Sequence, residues 1–248
     1  MDRFLKILSK VGAVLFVLSF VIISGFVAIL IPATSKAFYR ARFTEVDSNG
    51  KTALYYVKRN AYSIQDEKTA RFVIDMTEEE LVAVMLHAVR YCLYLEDDLN
   101  PTVDGYKMQL YRADEISHMQ DVKKVFGKGL ITVFVSVVVF IATLCLGIIK
   151  RKGYYTNCRK VPIYTLIGVV LALFITGVVA ITNFDKAFDI FHKMLFDGNW
   201  EFETGVMIKM IGYIFDDILP IILTVWLSLL ALFGVGLWVY NHLLKNSK

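Results

Sequence analysis

The sequence is poor in cysteine, histidine and proline, with three, four and four of them in 248 residues. Cys92, Cys145 and Cys158 form no CxxC pair and no metal-ligand spacing. Cys145 sits in an apolar run and Cys158 in a basic loop, so neither is expected to share a compartment with Cys92, and no disulfide framework follows. No Gly-x-Ser-x-Gly elbow, Walker loop, dinucleotide fingerprint or His-Glu-x-x-His zinc motif occurs. The net charge is only +4, and the basic residues are not interleaved with aromatics in a stripe, so nucleic acid is excluded as a partner. Internal repeats and low-complexity segments are absent as well.

Charge is missing in long blocks. Val11–Ala33, Gly129–Ile149, Val161–Thr182 and Ile218–Tyr240 contain no Asp, Glu, Lys, Arg or His, and each is long enough to cross about 30 Å of hydrocarbon as a helix. With 56% hydrophobic residues and a mean hydropathy of +0.55, the apolar surplus needs lipid rather than a soluble core. The first block follows Arg3, Lys6 and Lys10, as a signal peptide would, but it exceeds the roughly 7–15 apolar residues of a cleaved leader. It is expected to be a retained anchor. No lipobox cysteine follows it, so the chain is not expected to be a lipoprotein itself. Spans without charge argue against an ion or proton path through the bundle.

Lysine and arginine in the short flanks set the orientation. The N-terminal flank carries Arg3, Lys6 and Lys10; the 150–160 loop carries Lys150, Arg151, Lys152, Arg159 and Lys160 with no acid; the tail carries Lys245 and Lys248. All three are expected in the cytoplasm, which puts 34–128 and 183–217 outside. The expected fold class is therefore an integral membrane, mainly α protein with spans at 11–33, 129–149, 161–182 and 218–240. A small α+β extracytoplasmic domain lies between the first two spans, and a short helical interfacial loop between the last two.

Within the first outer segment, Asp47-Ser48-Asn49-Gly50 reads as a turn and Thr52–Val57 as a strand. Thr77 and Glu80 form a capping box that opens an amphipathic helix to about Leu95. Val103-Asp104-Gly105-Tyr106 reads as a tight hairpin with a second strand over Lys107–Tyr111. Asp114 is expected to cap a helix over Glu115–Phe126 that runs on into the second span. In the later outer segment, Phe184–Leu195 and Thr204–Phe215 read as helices and Phe196–Phe202 as irregular. The density of Phe, Trp and Met there points to the membrane interface and its lipids.

Four histidines are the candidates for proton transfer. His242 belongs to the cytoplasmic tail, and His87 has no carboxylate three or four residues away, so both read as surface residues. His118 has Asp121 one turn on and Glu115 one turn before; His192 has Asp189 one turn before. A carboxylate that holds one ring nitrogen leaves the other for general base work. The competing reading is a helix histidine bonded to backbone or headgroup, and spacing alone leaves both open. Zinc held by the two histidines with Asp121 and Asp189 is a third reading without supporting ligand spacing, and no metal or other cofactor is expected.

The segments around these histidines resemble the bacterial lipoprotein intramolecular transacylase (Lit) family, from about Met76 to Phe215. The resemblance is carried by Met76-Thr-Glu-Glu-Glu-Leu-Val-Ala-Val, Tyr91-Cys-Leu-Tyr-Leu and Val103-Asp-Gly, by Asp114-Glu-Ile-Ser-His118-Met-Gln-Asp121-Val-Lys123, and by Phe191-His192-Lys-Met-Leu-Phe196-Asp-Gly-Asn199-Trp200-Glu-Phe202. The family tends to show a proline and a Phe-Phe pair after the tryptophan, where this chain has Gly212 and Ile214-Phe215, and Leu195-Phe196 stands for another Phe-Phe. The resemblance implies that His118 and His192 are a catalytic pair. It also implies that the substrate is a diacylglyceryl-modified lipoprotein, whose sn-2 acyl chain moves to the α-amine of the same N-terminal cysteine to give a lyso-form lipoprotein. Which histidine is base and which acid stays open. Arg112, Asn199 and the Trp200 indole N–H are candidate oxyanion donors, and Asp121 and Asp189 candidate orienting groups. A non-enzymatic membrane scaffold or sensor and a metal-dependent lipid hydrolase are the alternatives.

Overall fold

The computed structural model describes residues 2–149, 158, 160–196 and 204–246. Its elements are α1 (Asp2–Ala33), α2 (Lys36–Thr44), α3 (Ala53–Arg59) with a 3₁₀ turn over Asn60–Ser63, α4 (Glu67–Asp75), α5 (Glu78–Cys92), β1 (Thr102–Val103), β2 (Tyr106–Lys107), α6 (Ala113–Ile149), α7 (Val161–Thr182), α8 (Phe184–Leu195) and α9 (Val206–Asn246). Four of these helices are long and apolar enough to cross a membrane: α1, α6, α7 and α9. The protein is a multi-pass membrane protein.

The chain divides into two compact units, the first formed by 1–28, 129–191 and 223–248 and the second by 29–128 and 192–222. The first unit is inside-out relative to a soluble bundle. Phe134, Phe174 and Leu232 are each about two-thirds or more exposed, which is stable only against hydrocarbon. Its small interior is Val17, Val21, Leu166 and Leu230, flanked by stacked rings of Phe16 on Phe140 (centroids 4.7 Å) and Phe20 on Phe233 (3.9 Å). Lipid supplies no hydrophobic drive between helices, so close packing and buried hydrogen bonds hold them. Trp226 shows both: its indole Nε1 donates to the Val21 carbonyl at 3.2 Å and to Ser24 Oγ at 3.1 Å, and its ring lies against Gly25, where a Cβ would stand 3.1 Å away.

The second unit has a conventional core that includes Tyr39, Phe43, Val57, Val73, Leu81, Met85 and Leu99, closed by Met207, Met210 and Ile214 from the start of α9. The capping box forms as expected: Thr77 Oγ1 accepts from Glu80 N–H, and the Glu80 carboxylate accepts from Thr77 N–H at 2.7 Å. The buried stripe of α5 matches the expected three-and-four spacing from Leu81 to Cys92. The hairpin also forms, with Val103 paired to Tyr106 and both Asp104 (φ 49°) and Gly105 (φ 73°) left-handed, as a two-residue turn of this hand requires.

Several expectations are corrected. Thr52–Val57 is not a strand; Ala53, Val57 and Ala61 recur every four residues and are all buried, so α3 and the 3₁₀ turn lay one face on the core. The second strand of the hairpin stops at Lys107 because Leu110 and Tyr111 N–H groups donate to Asn100 Oδ1 rather than to a neighbouring strand. Helix α5 ends at Cys92, followed by Tyr94 at φ 61°, three residues before the expected Leu95. Asp114 is not an N-cap but lies in the first turn of α6. Helices α2 and α4 had no counterpart in the sequence reading; Ser35 and Asp66 cap them by accepting from Phe38 N–H and Thr69 N–H. The β content of the described residues is the one hairpin.

Candidate functional site

Helix α6 starts 16 residues before the apolar stretch that begins at Gly129, and this polar first part, Ala113–Lys128, belongs to the second unit. It presents His118. Helix α8 delivers His192 near its C-terminal end. The two imidazoles face each other with ring centroids 6.4 Å apart and planes 24° from parallel. Phe196, one turn beyond His192, packs against both, 4.9 Å from His118 and 5.6 Å from His192 between centroids. Both histidines are half-buried. The pair singled out by sequence is thus brought together from helices far apart in the chain.

The other candidates fall out unevenly. Asp121 is on α6 one turn after His118, and its Oδ1 accepts from Lys124 Nζ at 2.8 Å. Asp189 is on α8, three residues before His192. The Arg112 guanidinium is held by Asp114 through two bonds, 3.1 Å and 2.6 Å, and donates to Thr204 Oγ1 at 2.6 Å. Asn199 and Trp200, and the irregular stretch expected over Phe196–Phe202 apart from Phe196, lie outside the described residues. Of the other histidines, His87 Nε2 donates to the Asp98 carbonyl at 2.9 Å, and His242 stacks on Trp238 at 5.6 Å. Among the described residues no three His, Cys, Asp or Glu side chains converge as a metal site would need.

Three further groups near the start of α6 carry little sequence signal. Glu115 is only 1% exposed. Its Oε2 accepts from the Arg112 N–H at 3.0 Å and its Oε1 from the Met207 N–H at 2.8 Å. Burial pushes its pKa up, against the pull of those two N–H groups and of Arg112. Beside it, the Tyr111 hydroxyl is fully enclosed, and burial together with the Glu115 charge raises its pKa. Burial pushes the Cys92 thiol up to about 12, so it holds its proton near neutrality.

The match to known proteins covers most of the chain. The family model described as "Lipoprotein intramolecular transacylase Lit" matches residues 12–215. Among solved structures, the membrane integral lipoprotein intramolecular transacylase Lit from Bacillus cereus superposes with a TM-score of 0.55 at 19% identity, covering 100% of this chain and 99% of that one. A variant of the same protein with a histidine replaced by arginine gives a TM-score of 0.53 at 19% identity, covering 100% and 94%. An uncharacterized protein of Aquifex aeolicus is 30% identical over 124 residues, 48% of this chain and 53% of that protein, so the match spans about half of that relative's length.

Proposed function

Because the chain belongs to the lipoprotein intramolecular transacylase (Lit) family, we propose that it moves the sn-2 acyl chain of a diacylglyceryl-cysteine lipoprotein onto the α-amine of that same cysteine, with His118 and His192 as the acid–base pair. The observation that carries this reading is the facing of the two imidazoles at 6.4 Å.

The chemistry asks for such a pair. The amine, with a pKa of about 7.7–8.0, must lose a proton as its nitrogen attacks the ester carbonyl. A C–N bond forms, the bond from the carbonyl carbon to the glycerol oxygen breaks, and that oxygen must gain a proton. One neutral imidazole takes the amine proton and one imidazolium supplies the glycerol oxygen. In the tetrahedral intermediate the attacking nitrogen and the leaving oxygen are bonded to one carbon. Base and acid must therefore stand close together, one on each side, within hydrogen bonds of about 2.9 Å. A separation of 6.4 Å between ring centres suits that demand. Both reacting groups belong to one substrate molecule, so holding them in attack geometry is most of the protein's task.

Asp121 and Asp189, each one turn from its histidine, are the orienting groups in this reading. Asn199 and the Trp200 indole N–H are the oxyanion donors, with Arg112 supporting the site through Asp114 and Thr204. In this reading both termini lie in the cytoplasm and the histidines on the outer face, a reading supported by the lysines and arginines of the short flanks. Helix α8 buries none of its residues, and Ile190, Phe191 and Met194 are about half exposed or more, which fits an element resting on lipid where the acyl chains lie.

The test is replacement of His118 and His192 separately by Ala, with the N-terminus and acyl count of a co-expressed lipoprotein read by mass spectrometry. Loss of the lyso-form product in both variants, with normal insertion, is expected. An unchanged product in either variant overturns the dyad.

A further inference from the structure

A helix leaves its first N–H groups without partners. At the start of α6 the usual remedy is present: Arg112 stands just before the helix, and Glu115, three residues on, accepts its N–H, the glutamate half of a capping box. That arrangement ordinarily sits on the surface and needs one carboxylate oxygen. Here the second oxygen takes the N–H of Met207, the second residue of α9, across 92 positions of sequence, and the side chain is almost fully enclosed.

The surroundings are built around that second bond. Gly205 has φ 133°, and a Cβ on it would overlap the Glu115 carboxylate, so the carboxylate fills the space a side chain would take. A second tie runs parallel to the first, from the Arg112 guanidinium to Thr204 Oγ1 at 2.6 Å. A glutamine in this position offers one acceptor and turns an NH₂ donor toward the other N–H. The site therefore requires a carboxylate, which both helix N-termini favour electrostatically.

The consequence for the histidines follows from where the cap sits. Glu115 lies in the first turn of α6, three residues before His118, and it holds Met207 while Arg112 holds Thr204. The start of α9 is thus anchored on the first turn of the helix that carries His118. We infer that Glu115 is a positioning residue, a shared N-terminal cap of α6 and α9 that holds the first turn of the helix carrying His118 against the start of α9. The inference rests on the transacylase reading for its catalytic consequence, but the shared cap itself does not.

The experiment uses the full chain in lipid nanodiscs with E115Q and G205A, the second leaving Glu115 and both histidines in place. T77A serves as a variant that weakens the same unit elsewhere. Activity is measured on a synthetic diacylglyceryl-cysteine lipopeptide with a free α-amine, and hydrogen exchange at the Met207 amide is followed in parallel. In E115Q, kcat is expected to fall about tenfold or more with KM within about twofold, since small misplacements of reacting groups have effects of that order. Met207 exchange should rise about tenfold. G205A should do the same, while T77A keeps kcat. Wild-type kcat in E115Q, or unchanged Met207 exchange, overturns the inference, as does a kcat loss that T77A shares in proportion to lost folded protein. A wild-type protein inert on the lipopeptide contradicts the transacylase reading instead, and the exchange at Met207 then decides the shared cap alone.

Discussion

The rings of His118 and His192 face each other at 6.4 Å with Phe196 packed on both. Neither helix supplies this alone: α6 brings one ring, α8 the other, and Phe196 follows directly from the end of α8.

Phe196 should matter in its own right. An aromatic pair contributes about 0.5–1.5 kcal/mol beyond its buried area, and by the relation of about 1.4 kcal/mol per factor of ten this corresponds to roughly 2- to 12-fold in rate if spent on ring placement. Replacing Phe196 with Ala is expected to lower kcat on the lipopeptide by that order, and Phe196→Tyr to retain most of it. Steady-state kinetics check this; an unaffected Ala variant removes Phe196 from the site.

The capping box on α5 closes its bonds between Thr77 and Glu80 and should separate stability from chemistry. Thr77 Oγ1 caps Glu80 N–H, and loss of such a cap costs about 0.5–2 kcal/mol. Thr77→Ala is expected to lower the melting temperature in detergent and leave kcat at the wild-type value.

Asp66 predicts a pH effect. It accepts from Thr69 Oγ1, Tyr106 Oη and Thr69 N–H, joining the start of α4 to β2, and these bonds hold its pKa below the ordinary aspartate value. The folded value lies below the unfolded one, so its contribution is present above about 3.8 and is lost as pH falls through the lower folded value. Wild-type protein should lose more stability than Asp66→Asn between pH 5 and strong acid, as followed by thermal melts across pH. Parallel curves contradict the assignment.

The orientation makes a labelling prediction. In intact cells a membrane-impermeant thiol reagent should reach cysteine placed at Ser48 or Gly198 and not at Lys152. Labelling at Lys152 reverses the orientation.

What was legible in the sequence follows the range of the physics. Spans and the helix Phe184–Leu195 were readable because length, hydropathy and periodicity are local properties, and α7 and α8 have the expected bounds. The capping box was readable because its two bonds close within four residues. Thr52–Val57 misled because Thr, Tyr and Val favour strands, while the deciding factor was burial of Ala53, Val57 and Ala61 on a distant core. The histidines could be proposed from their neighbours and from the family blocks, but their facing needed the fold. Glu115 was visible only as a neighbour of His118; its bond to Met207 has no signature in either segment.

The central claim is tested most directly by following one acyl chain. A diacylglyceryl-cysteine lipopeptide labelled only in its sn-2 chain, with a free α-amine, is incubated with the protein in nanodiscs, and the products are resolved by tandem mass spectrometry. The account predicts that the label appears as an amide on the cysteine α-amine, with the glycerol left as the lyso form, and that neither His118→Ala nor His192→Ala makes this product. Label released as free fatty acid would mark a hydrolase, and label remaining on the glycerol a non-enzymatic protein; either result contradicts the account.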